Sequence, residues 1–138
     1  MKLLIGSKNA GKIREISKFL RGLPIEAISL KDLPGIEPAE ETEKSFLANA
    51  RLKARTYYRQ SNLITLAEDS GLQVDFLGGE PGPLSARYAG EEASDAENVA
   101  KLLRELRGVK SELRTARFVC VAGVTNGHKI WVATGKVE

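Results

Sequence analysis

The sequence predicts an α/β domain with a mixed sheet flanked by helices, and three patterns lead to this prediction. Short apolar runs of strand length alternate with segments that carry apolar residues at helical spacing. In two places, two apolar runs follow one another with no helix between them, which indicates antiparallel hairpins. Alternating strands and helices favour parallel pairing, so the sheet should be mixed. The 138 residues suffice for one domain, 1–138.

The N-terminal third is predicted to hold a strand, a helix and a second strand. Residues 2–6, "KLLIG", are a short apolar run closed by glycine. Residues 10–21 place their apolar side chains on one helical face, and a Gly and a Pro follow directly and end the helix. Residues 25–30 are predicted to form the second strand. Residues 32–41 follow as an acidic loop with three breakers.

The middle of the chain is predicted to hold one helix and two strands. Residues 42–59 carry an apolar stripe at helical spacing, consisting of Phe46, Ala50, Ala54, Tyr57 and Tyr58. Residues 63–69 are an apolar run that ends in two acids, and residues 72–77 alternate as a strand does. Residues 78–83, "GGEPGP", should be a loop.

The C-terminal third is predicted to hold a helix and a hairpin. Ser94 and Glu97 form the S-x-x-E pattern of a capping box, which opens a helix from 95 to about 107. Residues 117–135 contain two strands around the dipeptide Asn-Gly, a strong hairpin signal. The first of these strands is apolar on both faces, which favours an interior position in the sheet.

Composition narrows the class of protein. The net charge of +3 and the pI near 9.1 are mildly basic and suit an anionic small molecule as well as nucleic acid. No basic patch interleaved with aromatic residues is visible, so nucleic-acid binding has little support. Cys120 is the only cysteine, which excludes an internal disulfide and favours a reducing, cytoplasmic location. It lies in the apolar run "FVCVAGV", which predicts a buried inert thiol. No apolar stretch is long enough for a membrane span.

The segment "IGSKNAGKI", residues 5–13, nearly matches a phosphate-binding P-loop. Gly6, Gly11 and Lys12 fit G-x-x-x-x-G-K, but Ile13 stands where the pattern requires the Ser or Thr that binds Mg²⁺. A helix start after a strand attracts anions, and a lysine adds a full charge. A plain strand–helix turn explains the segment equally well.

Two groups of acids are candidates for a metal site. The first crowds the loop before the second helix and consists of Glu37, Glu40, Glu41 and Glu43. Such acids suit Mg²⁺, although their favourable interaction with a helix dipole is an alternative explanation. The second is the pair Glu68 and Asp69 at the predicted end of a strand, where α/β sheets bind ligands. A turn formed by Asp69, Ser70 and Gly71 is the rival interpretation.

Lys53 lies on the apolar stripe of its helix, one turn after Asn49. A lysine at such a position usually extends to solvent along the apolar surface. The alternative is that it points into a cleft and contacts an anion, together with Asn49 on the same helical face.

Taken together, five segments in order resemble the inosine/xanthosine triphosphate pyrophosphatase family. The first is "SKNAGK" at 7–12, after the first strand, and the second is "EETEKSFLANARLKA" at 40–54. The third is "EDSGL" at 68–72. The fourth is the loop "GGEPGPLSARYAG" at 78–90, and the fifth is "RTARFVCV" at 114–121. Each motif alone is weak, but five in sequence over nearly the whole chain are specific.

This resemblance implies hydrolysis of ITP, dITP and XTP to the monophosphate and pyrophosphate. It also implies a fold of two lobes around a central cleft, a homodimer and a requirement for Mg²⁺. Carried over residue by residue, it assigns the phosphate tail to Ser7, Lys8, Asn9, Ala10, Gly11, Lys12, Lys53 and Ser70. It assigns the metal to Glu41 and Asp69, and activation of the attacking water to Asp69. Whether Glu68 or Glu40 shares the metal site is left open.

The family continues with an aromatic-Gly-Tyr-Asp-Pro segment and a Ser-His-Arg segment that recognise the purine, and neither occurs in these 138 residues. We therefore expect a chain that is truncated at its C-terminus relative to the family. The alternative function is a catalytically impaired remnant that binds triphosphate tails or a partner. A P-loop NTPase that releases orthophosphate is a third hypothesis, which Ile13 disfavours.

Overall fold

The computed structural model describes residues 1–138 and contains a five-stranded mixed sheet with three α-helices. The strands are β1 (Lys2–Ile5), β2 (Glu26–Ser29), β3 (Ile64–Val74), β4 (Ala116–Thr125) and β5 (Ile130–Val137). The helices are α1 (Ala10–Phe19), α2 (Phe46–Ser61) and α3 (Asp95–Glu105). The strand order is β2-β1-β3-β4-β5, and β1 is parallel to both of its neighbours, whereas the β3–β4 and β4–β5 pairs are antiparallel. The predicted mixed sheet flanked by helices is confirmed.

The prediction of two strands at 63–69 and 72–77 is wrong, because β3 is one continuous strand. It pairs with β4 in unbroken register from Thr65 opposite Thr125 to Val74 opposite Ala116. These long-range backbone hydrogen bonds override the local turn preference of the Asp-Ser-Gly segment within the strand. The residues after Val74 form a short 3₁₀ turn, Asp75–Leu77, instead of continuing the strand.

Local motifs place the other elements largely as predicted. Ser94 and Glu97 form the expected capping box at the start of α3. The hairpin between β4 and β5 turns at the Asn-Gly dipeptide, and β4 lies inside the sheet. Helix α2 begins four residues later than predicted, because the hydroxyl of Ser45 accepts a hydrogen bond from the N–H of Ala48 and caps the helix there.

The core lies on the face of the sheet that α2 covers. Phe46 and Ala50 of α2 pack with Val119 and Val121 of β4. The opposite face is covered by α1, which buries none of its residues completely and leaves Phe19 75% exposed. Cys120 points to this open face, so the prediction that it is buried is wrong. No helix combines the length and apolar character needed to cross a membrane.

Candidate active site

The candidate active site lies where β1 ends and β3 continues. Strand β1 pairs with β3 only as far as Ile5 opposite Leu66, and the next backbone pairing on this edge of β3 is the bridge between Gln73 and Pro81. Residues 67–71 of β3 therefore have no strand neighbour on this side. The N–H of Gly6 donates to the carbonyl of Leu66 at 2.7 Å, and the chain then turns away toward α1. A Cβ on Gly6 would lie 2.8 Å from the ring of Tyr57. Glycine is therefore required for this close approach.

Glu68 and Asp69 lie side by side in the middle of β3, not at its end, and point to opposite faces of the sheet. The predictions of a strand end and of a turn at these residues are therefore wrong. Side chains alternate along a strand, so Asp69 shares the α2 face with Ala67 and Gly71. Asp69 is only 6% exposed, and Glu68 lies on the α1 face. Both nevertheless lie just beyond the end of β1, so the edge of a parallel pair still marks the site.

On the α2 face, Asn49 connects Asp69 to the acidic loop. Its amide donates to Asp69 Oδ2 at 3.2 Å and to the carbonyl of Glu43 at 3.1 Å. Its own oxygen accepts from the N–H of Glu43 at 3.0 Å. Asn49 is 1% exposed, so all of its polar atoms are used in positioning the loop against the strand.

Glu41 is held near this group by two cations. Its Oε1 lies 2.5 Å from Lys53 Nζ, and its Oε2 lies 3.6 Å from Arg87 Nη1. Arg87 also donates to the backbone carbonyl of Glu41 at 3.0 Å. Lys53 thus points inward, as the cleft interpretation of the sequence expected. The loop, α2 and the turn at 82–87 meet at one point.

On the α1 face, Lys12 forms an ion pair with Glu68. Burial raises the pKa of Glu68, but the hydrogen bond and the positive charge of Lys12 outweigh it, so this pKa lies below its ordinary value. Ser70 lies on the same face, and with Lys12 and Glu68 it lines one side of a cavity of about 430 Å³ between α1 and the sheet. Glu68 is therefore bound to the lysine on the face opposite Asp69. Glu40 is exposed.

The start of α1 has backbone donors next to Lys12. Asn9 caps the helix, with its Oδ1 accepting from the N–H of Lys12 at 3.1 Å, and Ser7 Oγ accepts from the N–H of Asn9 at 3.0 Å. The first intrahelical bond runs from Ile13 to Asn9, so the N–H groups of Ala10 and Gly11 precede it. Such a helix start, next to a lysine, suits a phosphate group. Lys8 is exposed at the same turn.

The carboxylate oxygens of Asp69 and Glu41 fit a hard cation whose coordination shell is completed by a bound ligand and water. No group of three or more His, Cys, Asp or Glu side chains is arranged to hold a metal. Mg²⁺ typically takes one or two carboxylates and completes its shell with water and substrate phosphate, so Asp69 and Glu41 are a sufficient pair. Asp69 Oδ2 accepts from Asn49, whereas its Oδ1 has no protein partner. No buried side-chain oxygen lacks a hydrogen bond, so Oδ1 is accessible to solvent.

Comparison with known proteins decides the family. A sequence model described as the Ham1 family matches residues 3–138. The chain belongs to the Ham1 family. It is 50% identical over 122 residues to the dITP/XTP pyrophosphatase of Geobacillus kaustophilus, covering 88% of this chain and 60% of that protein. It is 46% identical over 138 residues to the dITP/XTP pyrophosphatase of Geobacter sulfurreducens, covering 99% of this chain and 69% of that protein.

Solved Ham1 structures have the same fold. The Ham1 protein of Coxiella burnetii superposes with a TM-score of 0.90 at 34% identity, and the Ham1 protein of Staphylococcus aureus with 0.88 at 37% identity. In each case the match covers 99% of this chain and 70% of the solved chain. The resemblance inferred from five ordered motifs is thus confirmed. This Ham1 chain spans 60% of the length of the Geobacillus kaustophilus protein and 69% of the length of the Geobacter sulfurreducens protein.

Two residues of the Ham1 site were not among the predicted site residues. Asn49 was noted on the same helical face as Lys53 and within the 40–54 segment but was given no role of its own, although an amide near the start of a helix can bond an acid across the fold. Arg87 lies in the glycine- and proline-rich loop at 78–90, and its contact with Glu41 spans 46 positions. No local pattern in the sequence predicts that pairing.

The Ham1 fold raises the pKa of Asp69 above its ordinary value of 3.8. Burial is the main cause, and the neighbouring carboxylates of Glu41 and Glu68 add to it, against the opposing effects of Lys53 and Asn49. The native state therefore holds this proton to higher pH than the unfolded state does. The free energy of unfolding therefore falls as pH rises from the ordinary pKa of Asp69 through the raised one. Above that range the ionised carboxylate of Asp69 destabilises the native state.

We therefore expect Asp69→Asn to raise the melting temperature at pH 7 in metal-free buffer. The amide is always neutral and avoids the unfavourable ionisation, so the gain should shrink as pH falls below the native pKa. Thermal unfolding of wild type and variant across pH 4–8 measures this. Asp75→Asn is the matched control, because Arg117 and Thr115 lower the pKa of the exposed Asp75. Its replacement should therefore lower the melting temperature at pH 7, the opposite of the change expected for Asp69→Asn. A lower melting temperature for Asp69→Asn at pH 7 would contradict the prediction.

Proposed function

We propose that this chain hydrolyses the non-canonical purine triphosphates ITP, dITP and XTP to the nucleoside monophosphate and pyrophosphate. One observation carries the proposal. Two charged groups lie beside adjacent residues of β3, just beyond the end of β1. The start of α1 with Lys12 lies on the face of Glu68, and the carboxylates of Asp69 and Glu41 with Lys53 lie on the opposite face. Curated relatives at 46–50% identity are named dITP/XTP pyrophosphatases, which supports the same reaction here.

The positive groups hold the triphosphate tail in this proposal. The backbone donors of Ala10 and Gly11, the side chains of Ser7, Lys8 and Asn9, and the ammonium of Lys12 approach the phosphates from the α1 side. Lys53 approaches from the α2 side, and Ser70 contributes its hydroxyl. Lys12 and Lys53 each pair with a carboxylate in the structure. Substrate phosphate replaces those carboxylates as their partner.

Asp69 is the catalytic residue of this proposal. Its free Oδ1 orients the attacking water and accepts its proton, while Asn49 fixes Oδ2. Mg²⁺ held by Asp69 and Glu41 would supply charge neutralisation on the phosphates when bound. Arg87 is a positioning residue, because it acts on the backbone and carboxylate of Glu41.

Pyrophosphate release tests the proposal. Purified chain is mixed with ITP, dITP, XTP, ATP or GTP, with Mg²⁺ or with EDTA, and phosphate is measured with and without added inorganic pyrophosphatase. We expect phosphate only when the pyrophosphatase is present, only with Mg²⁺, and fastest from the three non-canonical substrates. Direct orthophosphate release would contradict the reaction type, and equal rates with ATP and GTP would contradict the selectivity. Calorimetric binding of ITP without turnover would favour the non-catalytic alternative.

The proposal includes a cytoplasmic location and a homodimer. A single exposed cysteine and no disulfide suit a reducing compartment. The homodimer rests on the resemblance to the pyrophosphatase family. Sedimentation equilibrium of the purified chain tests it, with a mass of twice 15.0 kDa expected. A single species at the monomer mass would contradict it.

A further inference from the structure

A row of arginines lies on the outer surface of α2, away from the candidate active site. Arg51, Arg55 and Arg59 follow one another at four-residue spacing and are all exposed. None of them takes part in an ion pair. Like charges at this spacing weaken a helix, and the helix dipole favours only Arg59, which is in the last turn. The groove beside the row contains a single acid, Glu43.

The β4–β5 hairpin places one lysine and one histidine opposite the end of this row. Lys129 and His128 lie in its turn and are exposed. The turn is held rigidly by Asn126 Oδ1, which accepts from the N–H groups of His128 and Lys129 at 3.0 and 2.9 Å. Thr125 Oγ1 donates to the carbonyl of Lys129 at 2.7 Å and holds the other side of the turn. The lysine is therefore presented from a fixed backbone.

Between the arginines and the hairpin lies a cavity of about 240 Å³. Arg55, Arg59, His128 and Lys129 line it, and only two of its eight lining residues are hydrophobic. Its volume lies below the range of about 300–1,000 Å³ that is usual for drug-sized ligands. Guanidinium groups bind phosphate oxygens in a bidentate manner, so the lining suits a small anion that carries more than one phosphoryl oxygen.

This cavity is separate from the candidate active site. It lies at Thr125 of β4, which pairs with Thr65 of β3, whereas Asp69 pairs with Val121. Four residues along a strand correspond to about 13 Å. None of the residues that line the cavity belongs to the phosphate or carboxylate groups described above.

We propose that the cavity between α2 and the β4–β5 turn is a second anion site that binds a compact oligophosphate of the pyrophosphate class. Its volume has room for two linked phosphoryl groups but not for a nucleoside triphosphate. Single-stranded nucleic acid binds with its bases stacked on free aromatic rings. Tyr58 is the only Phe, Tyr or Trp residue in this lining, and it packs under Gly127, where a Cβ would lie 2.4 Å from its ring. Binding at this site does not require the chain to be catalytically active.

Residue-resolved titration tests the site. Inorganic pyrophosphate without metal is added to the ¹⁵N-labelled chain, and the amide resonances of Gly127, His128 and Lys129 are followed separately from those of Gly11 and Lys12. We expect saturable shifts at the hairpin amides. The double variant R55Q/R59Q should weaken this binding at least about tenfold, while shifts at Gly11 and Lys12 are unchanged. Shifts at the two regions are read independently, so failure of the proposed function and failure of this site are distinguishable.

The double variant R104Q/R107Q is the matched control, since it removes the same charge from an exposed surface at α3. If this control weakens pyrophosphate binding as much as R55Q/R59Q does, the effect comes from net charge alone and the proposed site is wrong. An absence of saturable shifts at the hairpin amides would also overturn it. A labelled single-stranded oligonucleotide that binds more tightly than pyrophosphate, and is lost in R55Q/R59Q, would overturn the oligophosphate assignment in favour of nucleic acid. If R55Q/R59Q fails to fold, K129Q alone is expected to weaken binding, and unchanged affinity in K129Q would overturn the proposal.

Discussion

Asp69→Asn is expected to lower the turnover of ITP by about 10²- to 10⁴-fold, the range of a lost general base. The amide still accepts the hydrogen bond of Asn49, so the loop and strand stay in place. It cannot accept the proton of the attacking water. Pyrophosphate release at saturating ITP and saturating Mg²⁺ measures the loss. Turnover within about tenfold of wild type would remove Asp69 from the catalytic role.

Glu41→Gln and Asp75→Asn separate the possible reasons for that loss. Glu41 is assigned to the metal alone, so its replacement should raise the Mg²⁺ concentration needed for half-maximal activity, with most turnover recovered at saturating Mg²⁺. Asp69→Asn should not recover at any Mg²⁺ concentration. Asp75→Asn makes the same chemical change at an exposed aspartate paired with Arg117, and activity should be unchanged. Full recovery of Asp69→Asn by Mg²⁺ would show that its role is metal binding only.

Gly71→Ala is expected to destabilise the chain by about 3 kcal/mol, at the upper end of the usual range for overpacking. A Cβ at this position would lie 2.3 Å from the carbonyl oxygen of Gly82 and 2.5 Å from Ser85 Oγ. The first of these is backbone, so relief requires the 82–87 turn to move away from β3. Urea unfolding of wild type and variant measures the change in the free energy of unfolding.

Gly135→Ala is the matched control for this effect. Gly135 is also a strand glycine, in β5, but nothing lies within 4 Å of a Cβ added there. Its replacement should be neutral or stabilise by about 0.5 kcal/mol, because alanine reduces the entropy of the unfolded chain. Similar effects at both positions would contradict the steric explanation. Movement of the 82–87 turn should also displace Arg87 from Glu41, so Gly71→Ala should lower activity where it remains folded.

The long-range pairing of β3 with β4 explains why the acids and the glycine of the 68–71 segment could be recognised but not placed from the sequence. The acids at 68 and 69 and the glycine at 71 were correctly singled out, yet they were assigned to a strand end and a turn. An Asp-Ser-Gly segment does favour a turn locally. Ten consecutive register pairs with β4, all between residues more than forty positions apart, extend the strand through it. The glycine is present because another loop packs against the strand, not because the chain bends.

The sequence by itself determined the elements whose stabilising contacts are local. The capping box at Ser94 and the Asn-Gly hairpin depend on groups only a few positions apart. The family resemblance also followed from ordered motifs alone. Only the tertiary structure decided which charges meet, because Lys12 and Glu68 are 56 positions apart and Asn49 and Asp69 are 20 apart. It also decided that Glu68 and Asp69 face opposite sides of the sheet, since that depends on a strand that long-range pairing keeps continuous.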